Sequence, residues 1–176
     1  MRVLWLFLAL IASSMAHAAS EAPQNVDAFY LTVESWKGMT FSVNVIGDEV
    51  LYRCALYGDE AFTRSTAFSA NQSDVRRLFD SLAKLGVTNW KPKYISSMAD
   101  GEGWYLMFEV NGTRREFVGS NAQPKELPGL VDSVALFLGK LPFGFSGAVP
   151  YSKQAEDCLR LKQPLRNYTG IPTSSH

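Results

Sequence analysis

The chain has 176 residues, of which 17 are basic and 17 are acidic, and 47% are hydrophobic. This charge balance gives no electrostatic reason to bind nucleic acid or an anionic membrane surface. The length predicts a single domain with a sizeable core.

The first eighteen residues have the pattern of a secretory signal peptide. Arg2 precedes the apolar run at 3–12, and Ala16-His17-Ala18 resembles a cleavage site. The run is too short for a bilayer, which needs roughly 20 apolar residues. We therefore expect residues 1–18 to be removed and the mature chain, without an integral membrane segment, to be periplasmic or secreted. A retained anchor is the alternative.

Four segments with alternating apolar and polar residues follow, and each is typical of a half-buried strand. They cover residues 27–36, 40–47, 49–58 and 61–69, and most are separated by short turns that contain glycine. Such short connections favour an antiparallel β-meander.

The apolar period then becomes helical over 70–87. Asn71 or Ser73 can cap the start of this helix, and Gly86 stands where a left-handed terminator belongs. Its apolar residues, which share one face, are Val75, Leu78, Phe79, Leu82 and Leu85.

A β-hairpin is predicted next, because alternating runs at 104–110 and 113–119 flank Asn111-Gly112. A second amphipathic helix follows Pro124 and ends at Pro142, and a short third helix is expected at about 153–161. Residues 19–150 therefore predict one α+β domain. It combines an antiparallel β-meander and a later β-hairpin, with one face covered by two amphipathic helices.

The two cysteines, Cys54 and Cys158, are expected to form a disulfide in an exported protein. This bond would tie the C-terminal extension, 151–176, to the third strand. Two separate buried thiols are the alternative. A redox role is disfavoured because the chain has no C-x-x-C motif.

Histidine is nearly absent, since the chain has only His17 and the final residue, His176. The body of the chain therefore has no histidine for a nucleophilic pair or a zinc site. We expect no catalytic residue, no metal and no cofactor.

Two carboxylate pairs remain as candidates for acid–base chemistry on a glycan. They are Asp100 with Glu102, and Glu109 with Glu116. A solvated turn and an ordinary hairpin surface are the commoner roles of such residues.

Candidate binding residues surround the loop before the hairpin: Tyr94, Asp100, Trp104, Tyr105 and Asn121. Tyrosine suits a contact surface because it tolerates both apolar and wet surroundings. The structural alternative is that Trp104 anchors the core, while Asp100 and Asn121 fold the loop through local hydrogen bonds.

The same region resembles a group of small uncharacterised bacterial secreted domains with the pattern Trp-x-x-x-Tyr, Asp-Gly-x-x-Trp-x-Leu and Gly-x-Asn-x-x-Pro. The matching residues, preceded by Leu78 and Leu82, are Trp90, Tyr94, Asp100, Gly101, Trp104, Leu106, Gly119, Asn121 and Pro124. The group often carries Tyr before that Pro, where this chain has Gln123. The resemblance implies the fold and the loop geometry, but no activity.

Export, modest size, a disulfide and missing catalytic histidines favour a non-catalytic binding protein. An inhibitor or immunity protein that acts on an envelope enzyme fits this description, with another envelope protein as its partner and no nucleic acid. A structural or assembly module of an envelope complex is the alternative, and a carboxylate-dependent glycan hydrolase is a third.

Overall fold

The protein is described here by a computed structural model. It describes residues 27–35, 38–56, 59–97, 101–145 and 151–161. The predicted signal segment 1–18, the candidate residue Asp100 and the tail after residue 161 lie outside these described residues.

The described residues form seven strands, three α-helices and a short 3₁₀ helix at Val87–Asn89. The strands are β1 (Ala28–Ser35), β2 (Met39–Ile46), β3 (Glu49–Leu56), β4 (Asp59–Ser69), β5 (Lys93–Ile95), β6 (Glu102–Val110) and β7 (Thr113–Ser120). The helices are α1 (Gln72–Lys84), α2 (Leu127–Leu138) and α3 (Tyr151–Leu159).

All seven strands belong to one sheet in the order β4-β3-β2-β1-β6-β7-β5. The predicted meander and the predicted hairpin are both confirmed, and they join through antiparallel pairing of β1 with β6. Leu31 therefore lies between Val43 on β2 and Leu106 on β6. The short strand β5, which sequence analysis did not predict, pairs in parallel with β7.

Local sequence signals explain where several elements end. Asn111 and Gly112 have φ angles of 52° and 73°, the left-handed conformations that a tight hairpin turn of type I′ requires. Gly86 has a φ of 61°, as predicted for a residue that ends a helix. Asn71 occupies the N-cap of α1, although its side chain makes no capping hydrogen bond.

The helices cover one face of the sheet, which confirms the predicted α+β fold class. α1 contributes Leu78 and Leu82 to the core, and α2 contributes a nearly continuous apolar face. α3 reaches the same core through Cys158. The predicted short third helix is therefore confirmed, and it joins the core together with the two predicted amphipathic helices. The sheet residues facing them include Phe29, Leu31, Val43, Tyr52, Leu106, Phe108 and Phe117.

The predicted disulfide is confirmed, because Cys54 on β3 is bonded to Cys158 on α3. Both cysteines are fully buried. Beside them, the hydroxyl of Tyr52 donates a hydrogen bond to the carbonyl oxygen of Pro142 at 2.5 Å. Burial, and to a lesser extent the charge of Asp157, raises the pKa of Tyr52 far above its ordinary value.

None of the helices in the described ranges is long and apolar enough to cross a membrane.

Candidate functional site

Trp104 lies in the core, where only 3% of it is exposed. Its ring centroid is 6.1 Å from that of Trp90 and 5.8 Å from that of Tyr94. The indole Nε1 donates a hydrogen bond of 3.0 Å to the carbonyl oxygen of Ala122. Both the apolar ring and its polar nitrogen are therefore accommodated inside the protein, as the structural alternative required.

Two glycines allow this arrangement. A Cβ atom on Gly119 would lie 2.0 Å from Nε1 of Trp104, so the indole passes directly over the glycine backbone. A Cβ atom on Gly101 would lie 1.2 Å from Oδ1 of Asn121, so this amide side chain packs against the loop. Asn121 itself has a left-handed φ of 54°. These residues of the sequence pattern interlock as one structural unit.

The structure brings only some of the candidate binding residues together. Tyr94 and Trp104 are in contact, and Asn121 follows the end of β7 nearby. The hydroxyl of Tyr94 accepts a hydrogen bond of 3.1 Å from the backbone N–H of Lys91. Tyr105 points to the opposite face of the sheet, because successive residues of a strand alternate between faces. A binding role for these residues stays a prediction.

Tyr105 belongs to a group of side chains on the sheet face opposite the helices. Its neighbours across the strands are Thr32 on β1 and Val118 on β7. The rings of Tyr30 and Tyr105 are 5.8 Å apart. Ile95, on β5, is 69% exposed and Val118 is 37% exposed. We call Tyr30, Tyr105, Ile95 and Val118 the tyrosine patch.

Polar contacts fix the two tyrosines of the patch. Thr32 donates a hydrogen bond of 2.7 Å from Oγ1 to the hydroxyl of Tyr30. Burial, followed by a hydrogen bond to Glu116, raises the pKa of Tyr105. Glu116 in turn accepts a hydrogen bond of 2.7 Å from Arg114. The tyrosine rings are therefore held in place before any partner binds, which limits the entropy that binding would cost.

An unpaired polar group lies on the same face of the sheet. Asn44 is only 5% exposed, and its side-chain Nδ2 has no hydrogen-bond partner in the part of the chain that is described. An unpaired buried donor destabilises a protein by about 1–3 kcal/mol.

The carboxylates considered for glycan chemistry have other contacts in the structure. Glu109 faces Arg114 across the hairpin, and Glu116 is ion-paired with the same arginine. Glu102 begins β6, and partial burial raises its pKa. Its predicted partner, Asp100, lies outside the described residues. Among the residues that can be assessed, no cluster of three or more His, Cys, Asp or Glu side chains could hold a metal.

A cleft of about 1110 Å³ lies between α1 and one end of the sheet. Val75, Phe79 and Phe108 are among its apolar lining residues, and Asp48 and Asp80 are among its carboxylates. The remaining lining residues are Asp27, Gly47, Ala70, Asn71, Gln72, Arg76, Leu82, Ala83, Thr88 and Val110. We call this feature the α1 cleft.

The walls of the α1 cleft come from segments far apart in the chain, so no local sequence pattern predicts it. Asp27 precedes β1, Asp48 lies in the β2–β3 turn, and Asp80 is on α1. Only the helix carries a local signal. Arg76, Asp80 and Ala83 follow the i, i+4, i+7 spacing of a single helix face that adjoins the apolar one.

Compared with known proteins, the chain matches no protein-family model and no curated sequence.

Proposed function

We propose that this protein is a non-catalytic binding protein of the periplasm or extracellular space, which inhibits or protects against an envelope enzyme. The observation that supports this most is the tyrosine patch, an aromatic and apolar surface on the face of the sheet opposite the helix-covered core. The disulfide between Cys54 and Cys158 is consistent with an oxidising compartment.

The composition of the patch is typical of a protein–protein contact. Tyrosine is enriched in the centres of interfaces, while charged residues are depleted there and are more common at the rim. Here Tyr30 and Tyr105 lie side by side, and the charged pair Arg114 and Glu116 borders Tyr105. Ile95 and Val118, on the adjacent strands β5 and β7, are also large exposed apolar side chains, and Lys93 lies directly across from Val118.

The patch favours a folded protein over a small ligand as the partner. Its residues lie on neighbouring strands of one sheet, whereas small molecules usually bind in concave pockets. Tyrosine hydroxyls also allow hydrogen bonds to the backbone of a partner. An enzyme whose active-site rim binds this surface would be blocked by steric exclusion, without any chemistry by the inhibitor.

The proposal is tested by site-specific photo-crosslinking in cells of the source. A photoreactive amino acid is introduced at Ile95 or Val118, and in a third variant at Leu136. Leu136, on α2, is 81% exposed and serves as a control on the helical side. We expect the same covalent adduct from positions 95 and 118, and none from position 136. Mass spectrometry then identifies the partner.

Purified partner and protein are then mixed, and both complex formation and the partner's enzymatic activity are measured. We expect inhibition by the unmodified protein, and loss of both binding and inhibition in an Ile95→Lys/Val118→Lys variant. Circular dichroism checks that this variant remains folded. Adducts at position 136 alone would reject the tyrosine patch as the contact surface. A complex formed without any effect on enzymatic activity would instead support the assembly-module alternative.

A further inference from the structure

We propose that the α1 cleft is a second binding site, which accepts a basic, amphipathic segment of a partner protein. The inference does not depend on the tyrosine patch, because the cleft lies beside α1 on the side of the sheet that the helices cover. Three properties of the cleft support the inference: its size, its apolar floor and the negative charge at its rim.

The size of the cleft exceeds that of an ordinary surface depression. Pockets that bind drug-sized ligands have volumes of roughly 300–1,000 Å³, and the α1 cleft measures about 1110 Å³. A volume of this order accommodates several side chains of an incoming peptide. The cleft is bounded by a regular helix and by strand ends, so its main walls belong to rigid elements.

The floor of the cleft is apolar and firmly held. Phe108 is 4% exposed and belongs to the core, and Val75 and Phe79 pack against the same core while remaining half-buried. The ring of Phe79 makes an edge contact with Phe29 at a centroid distance of 6.4 Å. Apolar side chains from a partner would therefore meet an ordered surface and release water from it.

The rim of the cleft is acidic. Asp27, Asp48 and Asp80 line it, and Arg76 is the single basic residue among its described lining residues. One carboxylate is already used locally, because Oδ1 of Asp27 accepts a hydrogen bond of 3.2 Å from the backbone N–H of Asn111. Three carboxylates against one guanidinium favour a cationic ligand, since complementary charge both steers and orients binding.

These properties select the occupant. An apolar floor with an acidic rim matches a segment that alternates apolar side chains with lysine or arginine. The chain's own residues 19–26, which lead directly to Asp27, contain Glu21 and no basic side chain. They do not complement the rim.

Fluorescence anisotropy with a labelled peptide, Lys-Leu-Lys-Leu-Lys-Leu-Lys, tests this inference at low salt. The matched probe is the same peptide with glutamate in place of lysine. We expect the basic peptide to bind at least about tenfold more tightly, because the three carboxylates of the rim attract lysine and repel glutamate. Equal binding of the two peptides would overturn the charge argument, and no binding of either would overturn the site.

Three variants locate the binding in the cleft. Asp80→Lys should weaken binding of the basic peptide about fivefold, since one attraction becomes a repulsion. Ala83→Trp should abolish binding by filling the cleft from an exposed helix position. Asp132→Lys, on α2 and also exposed, changes the net charge equally but lies outside the cleft lining and should have little effect. Equal weakening by Asp80→Lys and Asp132→Lys would refute the site, because only net charge would then matter.

Discussion

Replacing Gly119 with alanine should strongly lower the free energy of unfolding, although the change adds only one methyl group. The new Cβ would lie 2.0 Å from Nε1 and 2.2 Å from Cε2 of Trp104, and 2.6 Å from the carbonyl oxygen of Ala122. Real Cβ atoms do not approach heavy atoms this closely, so the indole must move. Gly119 does not have a positive φ, so alanine causes no backbone strain there. The loss of stability therefore comes from the steric clash with Trp104.

The magnitude follows from what Trp104 loses. Its hydrogen bond to Ala122 is worth about 1 kcal/mol. Forcing a side chain that is 3% exposed out of a filled core costs about 1–3 kcal/mol. Disturbing the ring contacts with Trp90 and Tyr94 adds about 0.5–1.5 kcal/mol. We therefore expect the free energy of unfolding to fall by about 3–5 kcal/mol.

Urea denaturation followed by far-UV circular dichroism measures this change without relying on the fluorescence of Trp104. Gly103→Ala, on β6, is the matched control, because its nearest contact would be the flexible carboxylate of Glu34 at 3.4 Å. We expect the control to be neutral or up to about 1 kcal/mol more stable, since alanine loses less conformational freedom on folding. A loss below about 1 kcal/mol for Gly119→Ala, or an equal loss in both variants, would refute the close packing inferred here.

Three further predictions concern the disulfide, a partly buried carboxyl and a buried amide. Reduction of the bond between Cys54 and Cys158, which spans 104 positions, should lower the free energy of unfolding by about 4.7 kcal/mol in the chain-entropy estimate. Urea titrations with and without reductant measure it, and an unchanged midpoint would contradict the estimate. Burial raises the pKa of Glu102, so its contribution to stability is present below the ordinary glutamate pKa and is lost as pH rises through the raised value. Glu102→Gln should therefore raise the melting temperature at pH 7 more than at pH 4, and the opposite order would argue against burial as the cause. Asn44→Leu removes the unpaired Nδ2 and should leave the free energy of unfolding unchanged or raise it by about 1 kcal/mol. A clear loss of stability on urea denaturation would contradict the destabilising effect assigned to the unpaired Nδ2.

Much of the fold follows from local patterns. Alternation over residues 40–47 and over 104–110 predicts strands because successive side chains of a strand point to opposite faces. The same rule places Tyr105 on the opposite face of the sheet from Trp104. β5 was missed because three residues, Lys93–Ile95, are too few to show a period.

The sequence alone determined the type and approximate limits of the main elements, because hydrophobic period, turn residues and helix terminators act within a few neighbouring residues. It also indicated that Cys54 and Cys158 would pair, since the chain offers no other cysteine. Only the tertiary structure decided that β1 pairs with β6, that Gly119 lies beneath Trp104, and that Asp27, Asp48 and Asp80 line one cleft. These arrangements join residues far apart in the chain. The hydrophobic periodicity of a segment predicts its secondary structure but does not specify which distant strand or side chain it will contact.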